Sequence, residues 1–85
     1  MGKIENEISA TKAREIVEGK DPTYYSYYLN DIFKNIKDNC CLGKTTYIFD
    51  NGCYDIPIGV VNYLNSLGYN VKYINESKKQ ILIEW

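Results

Sequence analysis

Tyr25, Leu29, Ile32, Ile36 and Cys40 recur along the chain at a 4-3-4-4 spacing. Only an α-helix brings such a set onto one line, and an apolar line has to be covered. Asp21-Pro22 supplies a cap and a first helical residue. The helix predicted from this stripe runs to about Cys41, with Gly43 closing it. Roughly twenty residues make it about 30 Å long. In a chain of 85 residues it is the longest element, and the rest has to pack on it. A chain this short holds one core and buries roughly 60–65% of its extended surface. Residues 1–85 are therefore expected to form a single domain, with 1–8 a flexible N-terminus and 9–19 a short docking helix.

The docking helix follows from Ser9 as N-cap, Ile8 as a staple residue and Gly19 as the left-handed stop, with Ala13, Ile16 and Val17 on one side. So short a helix is unstable alone and needs a partner surface, within this domain or on a second subunit. After the long helix, Thr45 to Phe49 is β-branched and aromatic and reads as a strand, and Asp50-Asn51-Gly52 as a turn. A third helix is expected over Pro57 to Leu67, with Asp55 near its cap, its stripe made of Val60, Val61, Leu64 and Leu67, and Gly68 as its stop. Asn70 to Ile74 and Gln80 to Trp85 read as strands of a hairpin. The expected fold is α+β in the order α-α-β-α-β-β, with helices packed on one face of a small three-stranded antiparallel sheet.

The residues argue against chemistry. There is no histidine, so the commonest general base is missing. None of the four serines stands in a nucleophile elbow, and no glycine-rich phosphate loop is present. The chain is read as a binding protein, not an enzyme, with no cofactor and no metal. Cys40 and Cys41 are adjacent and Cys53 stands apart, a pattern that fits neither paired zinc ligands nor a disulfide framework. Cys40 is expected in the core and all three thiols reduced, which suits a cytoplasmic setting. Asp50 and Asp55 flank a turn that could in principle take a cation, but a solvated turn and a helix cap explain them as well. Met1 to Glu7 is polar, unlike a secretory leader, and no apolar run approaches the roughly 18–20 residues that cross a bilayer.

Tyr24-Tyr25-Ser26-Tyr27-Tyr28 is the most distinctive run, in a chain with nine tyrosines. Tyr25 belongs to the core stripe and Tyr28 borders it. Tyr24 and Tyr27 face elsewhere: the docked first helix, a partner or second subunit, or a stacked nucleotide base. Net charge is −1 with a pI near 5.3, without the basic stripe of a general nucleic-acid binder. The expected ligand- or partner-binding set is Arg14, Tyr24, Tyr27, Tyr28, Lys34 and Lys37, aromatic contact supported by a few cations. Unburied tyrosines and the short first helix point to a homo-oligomer, a dimer. An alternative is a winged-helix-like DNA-binding regulator, in which Asn62, Asn65 and Ser66 of the third helix read bases and Lys72, Lys78 and Lys79 hold phosphates.

Two stretches carry a resemblance. One is Ala10-Thr11-Lys12-Ala13-Arg14-Glu15-Ile16. The other is Val61-Asn62-Tyr63-Leu64-Asn65-Ser66-Leu67-Gly68-Tyr69-Asn70-Val71, followed by Ile81-Leu82-Ile83-Glu84-Trp85. Together they resemble a broad class of small tailed-phage proteins with an A-R-E-like first helix and a helix-G-Y-x-V hairpin ending in I-x-W. The class implies no catalytic residues. It implies a phage protein in the host cell cytoplasm: a regulator or anti-defence inhibitor, in some cases a sponge for a nucleotide signal and in others a binder of a defence protein. A minor virion or assembly component is a further alternative.

Overall fold

A computed structural model describes residues 7–74 and 76–85. Most of the expected flexible N-terminus, 1–8, lies outside the described residues. The element order is α1 (Ala10–Glu18), a single 3₁₀ turn (Pro22–Tyr25), α2 (Ser26–Cys41), β1 (Thr46–Asp50), α3 (Ile58–Ser66), β2 (Asn70–Tyr73) and β3 (Gln80–Glu84). This is the α+β order read from the sequence.

α1 starts where the Ser9 hydroxyl accepts the Lys12 amide at 3.1 Å. It stops at Gly19, whose φ of 76° is left-handed. Only glycine fits there for a second reason: a Cβ would lie 2.5 Å from the Tyr63 amide nitrogen and 2.9 Å from the Gly59 carbonyl. α1 and α3 thus meet backbone to backbone, which leaves room for a single buried α1 side chain, Ile16. Val17, expected on the same inward side, is 53% exposed.

The long helix is shorter than its stripe suggested. Its first turn is 3₁₀, with Asp21 at the N-cap position but making no side-chain capping bond. The Asp21 carboxylate accepts the Thr23 hydroxyl at 2.7 Å and pairs with Lys12 at 2.6 Å, tying the entry of α2 to α1. These contacts, Lys12 first, hold the Asp21 carboxyl below the usual carboxylate range. Tyr25, Leu29, Ile32 and Ile36 are buried as the stripe requires. Cys40 is exposed, contrary to the expected core position, and so are Cys41 and Cys53. The last turn of α2 runs past the core and is held by its end: Asn39 Nδ2 donates to the Thr46 carbonyl at 2.9 Å.

The sheet order is β1-β3-β2, all antiparallel. Phe49 faces Ile81, which faces Tyr73; Tyr47 faces Ile83, which faces Val71. These rows share one face by the period-2 rule. Phe49, Val71, Ile81 and Ile83 are buried there with Ile56 and with Val60, Val61 and Leu64 of α3. The helices cover this face alone. Ile48, on the opposite face, is 54% exposed. Leu67, expected in the α3 stripe, is the C-cap residue and turns outward.

Asp55 does not cap α3, whose N-cap is Pro57; it pairs with Lys79 at 3.5 Å. The segment before α3 lies along the hairpin turn instead. The Asn51 amide donates to the Lys79 carbonyl at 2.8 Å, the Ile56 amide to the Lys78 carbonyl at 2.6 Å, and the Tyr73 hydroxyl to the Ile56 carbonyl at 2.8 Å. Among the described residues no helix is long and apolar enough to cross a membrane.

Candidate functional site

α2 buries one stripe and leaves two flanks. The sheet lies beneath it, so each flank forms one wall of a concavity whose other wall comes from elsewhere in the chain.

The first concavity is a groove of about 460 Å³ lined by Asn30, Phe33, Lys34, Ile36, Lys37, Asp38 and Tyr69. Ile36 is buried at its base. Phe33 and Tyr69 are half-buried and pack against the core. Tyr69 is held from three sides. Gly68, at φ 100°, turns the chain out of α3, the Tyr69 amide donates to the Leu64 carbonyl at 3.3 Å, and the ring meets Trp85 edge to face with centroids 6.1 Å apart. Lys34 and Lys37, three residues apart, stand on neighbouring turns of the rim. Neither makes an ion pair among the described residues. A smaller hollow of about 190 Å³ shares Asn30 and Phe33 and extends the groove toward Tyr63.

The second concavity, of about 340 Å³, lies between α2 and the end of β1 and is lined by Tyr27, Tyr28, Asp31, Phe49, Asp50 and Asn51. Its aromatic wall is a run of edge-to-face contacts, Tyr27 on Tyr28 at 5.7 Å and Tyr28 on Phe49 at 6.4 Å. Asp50 accepts the Gly52 amide at 2.8 Å and the Gln80 amide group at 2.9 Å, one on each oxygen. These bonds, Gln80 first, hold its carboxyl below the usual carboxylate range.

The expected binding set is therefore not one site. Lys34 and Lys37 line the first groove and Tyr27 and Tyr28 the second. Tyr24 is exposed on the 3₁₀ turn, against the edge of Tyr25. Arg14 lies on the outer side of α1, in a shallow hollow with Ala13, Val17 and Glu18. The tyrosine that packs between α1 and α3 is Tyr25, whose hydroxyl donates to the Ile16 carbonyl at 3.1 Å. Five groove residues are absent from the expected set, Asn30, Phe33, Ile36 and Asp38 of α2 and Tyr69 beyond α3; Phe33 and Tyr69 supply its aromatic rings from separate elements. Burial pushes the Tyr25, Tyr47 and Tyr73 hydroxyls up from their ordinary value.

α3 is a core helix. Gly59, Val60, Val61 and Leu64 are buried. Asn62 donates to the Val17 carbonyl at 2.7 Å, Asn65 accepts the Val71 amide at 3.0 Å and Ser66 donates to the Tyr63 carbonyl at 2.5 Å. Asn62, Asn65 and Ser66, the base-reading residues of the winged-helix alternative, thus each make a hydrogen bond within the chain, and Asn65 and Ser66 remain at the surface. Among the described residues, no group of three or more histidine, cysteine or acidic side chains converges as metal ligands would. Compared with protein-family models, curated proteins and solved structures, the chain matches none.

Proposed function

We propose that the chain is a non-catalytic binding protein of phage type that counters a host defence by occupancy, sequestering a small nucleotide signal in the groove between α2 and Tyr69. One observation carries this reading: the groove places two fixed aromatic rings, Phe33 and Tyr69, beside two lysines without ion-pair partners among the described residues. A base stacks on such rings at about 1–3 kcal/mol, and ammonium groups meet the phosphate through charge-assisted hydrogen bonds. Asn30 and Asp38 offer polar partners for the sugar or the base edge. The volume of about 460 Å³ lies within the roughly 300–1,000 Å³ usual for small-molecule sites. No step of bond making or breaking is assigned to any residue. The anti-defence context rests on the resemblance to small phage proteins.

The test is a thermal-shift screen of cyclic and ADP-ribose-type nucleotides, repeated on Lys34→Ala and Lys37→Ala. A ligand that raises the melting temperature of the native chain and not of the lysine variants supports the reading. Capture of a defence protein is the second form of the same proposal, favoured by the exposure of Tyr24 and Tyr27. A dimer would cover α1, where Val17 is exposed beside Arg14, and the exposed Tyr24 and Tyr27; sedimentation showing a monomer removes it.

A further inference from the structure

The concavity on the other flank of α2 has the opposite chemistry. Tyr27 is the most exposed large hydrophobic side chain among the described residues, at 85%, and its ring meets that of Tyr28 edge to face. Tyr28 rests in turn on Phe49 of β1, so the wall is anchored to the core at its inner end. Across the opening, Asp50 is oriented by the Gly52 and Gln80 bonds and retains acceptor capacity on both oxygens. Asp31 makes no ion pair among the described residues, although Lys34 stands one turn further along α2. Among the described residues, none of those lining this opening is basic. The Asn51 amide group is already turned toward the Tyr54 and Asp55 carbonyls, so it does not fill the space.

An aromatic wall with electron-rich faces beside carboxylates that lack cationic partners is suited to a cation, and it repels a phosphate. We propose that this cleft is a second binding site, distinct from the lysine groove, that takes a guanidinium group. A planar guanidinium can stack on the Tyr27 or Tyr28 ring while its fork of donors meets carboxylate oxygens. A compact ammonium, strongly hydrated and without a plane, satisfies only one of these requirements well. The source of the group is either a free guanidino compound or an arginine side chain of a protein.

The experiment is an NMR titration of the full chain with agmatine, with the capped tripeptide acetyl-Gly-Arg-Gly-amide and with putrescine, at constant ionic strength. Agmatine or the tripeptide is expected to shift the Tyr27, Tyr28, Asp31, Asp50 and Asn51 resonances saturably. Tighter binding of agmatine assigns a free ligand, and tighter binding of the tripeptide assigns a protein arginine; either supports the site. Asp31→Asn should weaken the interaction about tenfold or more, the scale of one charge-assisted hydrogen bond, and Tyr27→Ala should weaken it as well. Lys37→Ala, on the other flank, should leave it unchanged. The spectra of the variants report directly whether each has folded. Absence of a saturable shift with both guanidinium probes overturns the proposal. So do shifts indifferent to Asp31→Asn, and so does putrescine binding as tightly as agmatine.

Discussion

Replacing Gly59 by alanine adds one methyl group at the point where three elements meet. On helix propensity alone the change should help, by up to about 1 kcal/mol. The structure argues the reverse. A Cβ at position 59 would overlap the Ile16 carbonyl oxygen of α1 and both the hydroxyl oxygen and a ring carbon of Tyr25. The Ile16 carbonyl is main chain, so relief requires α1 or the Tyr25 ring to move off α3. Overpacking of this kind costs about 1–3 kcal/mol. The displaced Tyr25 also loses its 3.1 Å bond to Ile16, worth about 1 kcal/mol. The Ile16 carbonyl keeps the Gly19 amide as a donor at 3.2 Å, which limits that loss. The net effect is a destabilisation of about 1–3 kcal/mol, a fall in Tm on the order of 10 °C for a domain of this size. Thermal unfolding followed by circular dichroism reads it directly. Tyr25→Phe, which removes only the hydroxyl, should cost about 1 kcal/mol. An unchanged or raised Tm for Gly59→Ala would refute the close approach of α1 and α3.

Ile32 is wholly buried mid-stripe, so Ile32→Ala should cost about 2–5 kcal/mol in urea unfolding, whereas Tyr27→Ala should stay within about 0.5 kcal/mol because its ring is exposed. The raised Tyr25, Tyr47 and Tyr73 hydroxyls make the fold sensitive to alkali. The unfolded chain gives up these protons more readily, so the stability they contribute is complete below about pH 10 and is lost as pH rises through the folded values. Tyrosinate absorbance should accordingly show some of the nine tyrosines titrating late, with a jump on unfolding.

The fold was legible where one period dominated. Tyr25, Leu29, Ile32 and Ile36 followed a helical line and are buried, and Ile81 and Ile83 alternated as an inward strand face should. The errors share a cause: periodicity tells which side a residue is on, not how far the neighbouring layer extends. Cys40 continues the α2 line but lies beyond the covered part of the helix. Val17 lies beside Ile16 but faces outward because Gly19 and Gly59 bring two backbones together. The candidate groove was legible only in pieces. Lys34 and Lys37 carried a visible signal, whereas Tyr69 reached the groove through the turn after α3 and the pairing of β2 with β3. Asp31 was absent from the expected set, although helical spacing puts it one turn along from Tyr27 and Tyr28, and Asp50 joins them only through the packing of β1 under α2.

Calorimetric titration of the native chain with a cyclic dinucleotide and with ADP-ribose tests the central claim most directly, with Lys37→Ala, Tyr69→Ala and Tyr27→Ala run beside it. Saturable binding of at least one nucleotide is expected. Loss of the lysine or of the Tyr69 ring should weaken it about tenfold, the scale of one charge-assisted bond or one stacked base, and Tyr27→Ala should leave it intact. No binding of either nucleotide, or binding indifferent to Lys37 and Tyr69, would contradict it.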